Sequence, residues 1–287
     1  MALLQGYAQK MERLQQEIER IVSTKEATVG VAINGMEAND TLSIRGRRHF
    51  PMQSVFKFHI ALAILAEVEK GKLSLDQQIE IKKSELLPGL WSPIRKKYPE
   101  GTTLTIAEII KYTVALSDNV GCDALLRLLG EPEAVERYFS SLGFKDFAVK
   151  INEETMQNNW DLQFLNWTTP KEANNILAAF YENKDGLLSK EHHDFIWNVM
   201  KGTKTGKGRL RGQLPKGTVV AHKTGWSGKH KETDVTAAVN NIGIVFLPNG
   251  NYFTISVFVT ASKESFETNE RIIADIAKAA WDYFNDK

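Results

Sequence analysis

Residues 55–66 constrain this chain more than any other stretch. Nearly every residue there is apolar, and the apolar positions cover all helical faces rather than one stripe. A helix without a polar face has to be buried, and a run of about 12 residues is too short to span a bilayer. The rest of the chain must wrap around it. Two polar residues, Ser54 and Lys57, stand at its start with i, i+3 spacing, which puts both on one helical face. Two readings follow. In one, Ser54 caps the helix and Lys57 snorkels to solvent. In the other, Lys57 is held beside Ser54. A buried lysine disfavours its own charge, so it can take the serine proton and leave a nucleophile. Ser54 would then sit in the first turn, where outward N–H groups favour developing negative charge.

Composition narrows the function classes. The 287 residues are 43% hydrophobic and 25% charged, enough for one large or two interleaved domains. Basic and acidic residues nearly cancel, 36 against 35, so nothing supports binding to nucleic acid or another polyanion. No run reaches membrane-spanning length, and no secretory leader is read at Met1. The single cysteine, Cys122, has no partner for an internal disulfide; beside Ala124 and Leu125 it reads as a small core residue. His192 and His193 are adjacent and diverge on a helix, so neither a metal nor a cofactor is expected.

Along the chain, Leu4, Tyr7, Met11, Leu14, Ile18 and Ile21 mark an amphipathic helix over 3–22. Residues 27–34 and 41–45 read as strands joined by a turn at 35–40. The apolar helix stops at Gly71, and 73–100, with Pro88, Gly89, Pro93 and Pro99, reads mostly as loop. Thr105 and Glu108 form a capping box for a helix to about residue 116. Helices follow over 120–129 and 133–142, closed by Gly130 and Gly143. Residues 144–168 show no sustained period, and a loop that long usually has a function or is disordered. Pro170 opens another helix and Ser189 caps the next. Strands are expected over 218–224, 236–247 and 252–260, the last two joined by a Pro248-Asn249-Gly250-Asn251 hairpin, with a final amphipathic helix over 267–284. Strands at both ends and helices between predict an α/β (α+β) chain. One antiparallel sheet flanked by the terminal helices would be built from 1–48 and 205–287, and an all-helical lobe from 49–204.

Two further short motifs carry chemistry. Ser117-Asp118-Asn119 falls between two helices, and Lys223-Thr224-Gly225 ends a strand. Alone, each reads as a helix cap or a turn. In the order Ser-x-x-Lys, Ser-Asp-Asn, Lys-Thr-Gly they resemble the serine β-lactamases and penicillin-binding proteins. Pro51-Met52-Gln53 before the nucleophile and Trp91-Ser92-Pro93 extend the resemblance to class A β-lactamases through nearly the whole chain. Gln53-Ser54-Val55-Phe56-Lys57 and Gln163-Phe164-Leu165-Asn166-Trp167-Thr168 resemble the branch holding the PER, VEB and Bacteroides-type extended-spectrum enzymes.

The resemblance implies hydrolysis of β-lactams, cephalosporins included, through an acyl-enzyme on Ser54. Lys57 would shuttle the serine proton, Ser117 would relay a proton to the leaving nitrogen, and Asn119 would bind the acylamino side chain. Lys223, Thr224, Gly225 and Trp226 would line the substrate, with Trp91 as an aromatic gatepost. The backbone N–H groups of Ser54 and Trp226 would form the oxyanion hole. Glu153 would activate the deacylating water, with the adjacent Glu154 as the alternative. The same resemblance implies a small-molecule β-lactam partner only, a monomer with no membrane or nucleic-acid contact, and a periplasmic or secreted location.

Several positions depart from the family pattern. Gln157 stands where an Asn usually helps hold the water. Ile151 and Asn166 replace an Arg–Asp pair that usually ties the loop. Ile242 replaces a carboxylate-binding Arg, for which Arg209 is the expected substitute. Trp226 replaces a small residue, and the polar stretch 227–235 behind it is long. Two rival functions share the motifs: a penicillin-binding DD-peptidase, and a sensor that acylates without turnover.

Overall fold

The computed structural model describes residues 2–37 and 40–286, with side chains of the first helix described from Lys10 onward. The chain is mixed α/β with an antiparallel sheet, as its pattern predicts. It divides into two compact units. The first comprises Met1–Phe50, Thr169–Ala178 and Gly206–Lys287; the second comprises Pro51–Thr168 and Ala179–Thr205. Thr169–Ala178 thus falls with the sheet, where the pattern had suggested a helical stretch unbroken from 49 to 204.

In the first unit, five strands run in the order Thr41–Ile44, Thr28–Asn34, Tyr252–Thr260, Val239–Phe246, Val220–Trp226. The two ends of the chain meet in the middle of the sheet, with Thr28 opposite Thr260 and Asn34 opposite Thr254. Side chains alternate between faces along each strand. Val29, Val31 and Ile33 share one face with Phe253, Ile255 and Val257. They form a core with Leu14 and Ile18 of the helix Ala2–Ser23 and with Ile272, Ile276 and Phe284 of the helix Phe266–Asn285. Of the apolar positions expected in the first helix, the side chains of Leu4 and Tyr7 lie outside the described residues, as do positions 38 and 39 of the expected turn. The opposite face leaves no room at Gly30, where a Cβ would stand 2.4 Å from the Phe50 ring and 2.7 Å from Pro170. Ser256 on that face donates to Asn174 Oδ1 at 3.3 Å, which ties the segment 169–178 to the sheet.

The second unit is built on the helix Phe56–Glu69, whose residues from Phe56 through Ala66 are all buried. Helices Ile106–Ala115, Asn119–Leu129, Glu133–Ser141 and Lys190–Lys201 pack around it. The Thr105–Glu108 capping box forms as read, and Gly130, with φ of 94°, ends its helix. Other parts differ from expectation. Ser54 lies in a 3₁₀ turn, Gln53–Val55, directly ahead of the α-helix. The stretch read as loop contains Gln78–Lys82, which pairs antiparallel with Gly101–Thr105. It also contains a short helix, Pro93–Lys97, capped by the Ser92 hydroxyl. Ile79 and Ile81 do alternate with polar neighbours, but the strand's partner lies some twenty residues on, past three prolines. Residues 144–168 are largely ordered into a bridge between Phe147–Ala148 and Trp167–Thr168, a helix Glu153–Asn158 and a 3₁₀ helix Trp160–Leu165.

His59 sits inside this unit with no exposed surface, stacked on Phe147 at 5.5 Å and edge-on to Phe139 at 5.4 Å. Neither ring nitrogen hydrogen-bonds to the described residues. Burial pulls its pKa down from 6.5 to about 4, with the Val55 carbonyl opposing. Between those values the unfolded chain holds a proton that the folded chain rejects. Stability is therefore full above pH 6.5 and falls as pH drops towards 4, by about 3 kcal/mol from this group. We expect urea midpoints measured at pH 7.5 and pH 5 to fall with acid, and to fall less in His59→Leu than in the parent protein. An equal fall in both would remove His59 from the account.

Candidate active site

The site grows from one side chain in the second unit. Lys57, wholly buried, donates from Nζ to Ser54 Oγ at 2.7 Å, to Ser117 O at 3.2 Å and to Asn119 Oδ1 at 2.5 Å. An ammonium has three N–H groups, so the acceptors around this nitrogen have to share them. Glu153 Oε1 lies 2.6 Å from the same nitrogen as an ion pair. The pair is buried, so solvent screens it little. Sequence spacing of i, i+3 placed Ser54 over Lys57; Asn119 and Glu153 come from far along the chain. The turn under Ser54 is fixed on both sides. Met52 N–H donates to Asn166 O at 2.9 Å, and Gln53, with φ of 47°, donates from its side chain to Gln163 Oε1 at 2.5 Å.

Ser117 lies in the left-handed region, φ 59°, a conformation that bends the loop so that its carbonyl meets Lys57. Asp118 next to it is buried and caps the following helix. Its carboxylate accepts from Gly121 N–H at 2.8 Å, Ile94 N–H at 2.7 Å and the Ser92 hydroxyl at 2.9 Å. Burial raises its pKa, while these donors and Lys57 act in the opposite direction. Asn119 N–H donates to Trp91 O at 3.0 Å. The Trp91 indole donates to Leu116 O at 3.1 Å yet remains 63% exposed.

Of the two adjacent acids, Glu153 meets Lys57, while Glu154 is exposed. Both stand in the first turn of the helix Glu153–Asn158, capped by Asn152. A residue that the sequence reading passed over holds that turn. Asp123, buried in the helix Asn119–Leu129, accepts from Glu153 N–H at 2.8 Å and Glu154 N–H at 3.0 Å. Burial and the nearby Glu153 charge push its pKa up to about 6, against the pull of these two N–H groups and of Lys57. An acid among the apolar residues of that helix was the available signal. The loop lacks its usual ion pair, and Asn166 ties it instead. Its Oδ1 accepts from Lys150 N–H at 2.7 Å and Ile151 N–H at 3.1 Å, and its Nδ2 donates to Ile151 O at 2.8 Å. Gln157 is exposed and reaches Pro88 O at 3.5 Å, so no hydrogen bond joins it to the Lys57 cluster.

The third motif belongs to the first unit. Lys223 is buried on the edge strand, paired opposite Ile242, with Nζ 2.9 Å from Thr224 O. Beside it His222 is buried against Asn241, and burial lowers its pKa to about 3. Arg209, expected to grip a carboxylate, is buried and engaged by protein acceptors. It pairs with Glu270 at 3.0 Å and donates from Nη1 to Gly225 O at 2.9 Å and Asn240 O at 3.0 Å. Burial lowers its pKa, with Glu270 opposing. Trp226 ends the strand half-exposed, its ring 4.9 Å from Phe266.

The sequence profile of the beta-lactamase enzyme family matches residues 13–284. The chain belongs to that family. It is 50% identical over 276 residues to beta-lactamase VEB-1 of Pseudomonas aeruginosa, covering 96% of this chain and 92% of the relative. It is 42% identical over 271 residues to the extended-spectrum beta-lactamase PER-1 of the same organism, covering 94% and 87%. The crystal structure of a class A representative from Bacteroides cellulosilyticus superposes with a TM-score of 0.91 at 38% identity, covering 97% of this chain and 99% of that one. This β-lactamase is thus of the class A serine type, in the branch its nucleophile and loop strings resemble. Among the described residues, no group of three or more His, Cys, Asp or Glu side chains could hold a metal ion. No described helix is long and apolar enough to cross a membrane.

Asp123 anchors the Glu153 turn through two backbone bonds, so Asp123→Ala should free both amides. We expect hydrogen exchange at Glu153 and Glu154 to speed at least about tenfold, as the loss of a charge-assisted bond implies. Unchanged exchange would show that the turn is held by other groups.

Proposed function

We propose that Ser54 is the nucleophile of a β-lactam hydrolase and Glu153 the base that releases its acyl-enzyme. The observation that carries this reading is the buried contact of Lys57 with both Ser54 Oγ and Glu153 Oε1. Ser54 Oγ attacks the lactam carbonyl carbon, and its proton passes to the Lys57–Glu153 pair. Charge gathers on the carbonyl oxygen, for which the N–H groups of Ser54 and Trp226 are the donors. The C–N bond then breaks as the proton held by the pair moves through Ser117 to the nitrogen, which frees Glu153 to act as a base again, with Lys223 supplying positive charge. In the second half, Glu153 takes a proton from water, the resulting hydroxide attacks the ester carbon, and Ser54 recovers its proton as it leaves.

Binding divides among the remaining residues. Asn119 takes the acylamino amide, and Trp91 flanks it. Lys223 and Thr224 take the substrate carboxylate, with Gly225 and Trp226 beside them. Arg209 serves this subsite through its charge and by holding Gly225 O, since its guanidinium already faces Glu270. Gln157, turned to Pro88, steadies the water-bearing turn from outside. The extended-spectrum name of PER-1 supports cephalosporins as substrates. The bacterial relatives support an exported enzyme, periplasmic or secreted. The near balance of 36 basic and 35 acidic residues offers no attraction for nucleic acid or an anionic membrane surface, and the family resemblance supports a monomer.

A DD-peptidase or a non-turnover sensor would have no use for a carboxylate buried against the lysine, and Glu153 weighs against both. Glu153→Gln removes the base and keeps the shape. We expect deacylation slowed roughly 100- to 10,000-fold and intact-mass spectra dominated by protein carrying one opened β-lactam. Undiminished turnover with no adduct would take the role of base away from Glu153.

A further inference from the structure

We propose that the Trp226 indole is a fixed aromatic platform that selects β-lactams bearing a flat aromatic arm on the carboxylate-bearing ring. The proposal rests on the assignment of Lys223 and Thr224 to the substrate carboxylate. Residues Val220 through Gly225 are buried, yet the strand ends on an indole that is 54% exposed. A large apolar side chain left in water gains little for the fold by burial, and this one is held in place. Its own backbone is tied on both sides. Gly225 O accepts from Arg209 Nη1 at 2.9 Å, Ser227 N–H donates to Ala238 O at 3.1 Å, and Ala238 N–H donates to Ser227 Oγ at 2.9 Å. The ring itself leans on Phe266, centroids 4.9 Å apart, and Phe266 also carries the Arg209 guanidinium at 5.6 Å. Phe266 opens the last helix, and Glu270 one turn later holds Arg209 at 3.0 Å. The ring thus rests against Phe266 on a backbone tied at both sides.

Strand geometry gives the direction. Trp226 pairs with Val239, and side chains two apart on a strand share a face, so Trp226 projects on the same side as Thr224 and opposite to Lys223. A substrate carboxylate held by Thr224 puts the ring that bears it beside the indole. The acylamino group, assigned to Asn119, belongs to the other end of the substrate. In a cephalosporin the exposed position of the carboxylate-bearing ring is C3. A planar arm there can lie offset or edge-on against the indole, the arrangements aromatic pairs prefer. Trp226→Ala leaves the backbone N–H in place and removes only the platform.

The test compares two cephalosporins with the same acylamino group, one with a styryl arm at C3 and one with a methyl. The readout is the ratio of their kcat/KM values. In Trp226→Ala we expect that ratio to fall about tenfold relative to the parent enzyme, through KM for the styryl compound, the size of one good aromatic contact. Trp226→Phe, which restores a ring, should recover most of it. A ratio unchanged in Trp226→Ala, or equally low in both variants, overturns the proposal. Failure of the parent enzyme to open either ring would instead overturn the hydrolase reading itself.

Discussion

A fully buried ammonium is the constraint on which the second unit depends. Burying the Lys57 amine is costly unless every N–H finds an acceptor and a counter-charge stands close by. The chain meets the demand with four groups from three segments: the Ser54 hydroxyl, the Ser117 carbonyl and Asn119 amide oxygen of one turn, and the Glu153 carboxylate. Each must arrive at a stated distance from one atom. The same arrangement leaves a serine oxygen, an amine and a carboxylate in a line of contacts, the groups that the proposed acyl-transfer cycle uses.

The groups that position this cluster are themselves buried and polar. Asp118 and Asp123 spend their carboxylates on backbone N–H groups, Asp118 fixing the Ser117–Asn119 turn and Asp123 fixing the turn that carries Glu153. Burial raises the pKa of both, and the donors offset only part of that cost. Asn166 does the same for the loop with an uncharged amide, in place of an ion pair that would have to be desolvated. The fold thus holds its reactive groups with hydrogen bonds whose partners are mostly main chain, and main chain does not change when neighbouring side chains do.

Features that depend on local pattern were legible in the sequence. The buried helix, the Thr105 capping box, the glycine that stops the helix at Leu129 and the strands at both ends follow from periodicity and turn chemistry within a few residues. The three short motifs were legible as a set. Features that need a distant partner were not. The strand Gln78–Lys82 forms only because Gly101–Thr105 lies alongside it. Arg209 looked free to bind a ligand because Glu270, 61 residues away, gives no local sign of pairing with it. Asp123 was visible as an acid in an apolar helix, but its task appears only when the turn at Glu153 is folded onto it. Gln157 matched a water-holding position by alignment and points to Pro88 instead, since its side chain lies outside the turn that faces Lys57.

The central claim is that the Ser54–Lys57–Glu153 cluster completes a cycle instead of stopping at the acyl-enzyme. Following β-lactam ring absorbance and intact protein mass together, after mixing the parent protein with excess cephalosporin, tests it directly. The account predicts ring loss far beyond one equivalent, with the protein returning to its own mass. Consumption of a single equivalent, with a lasting adduct on Ser54, would contradict it.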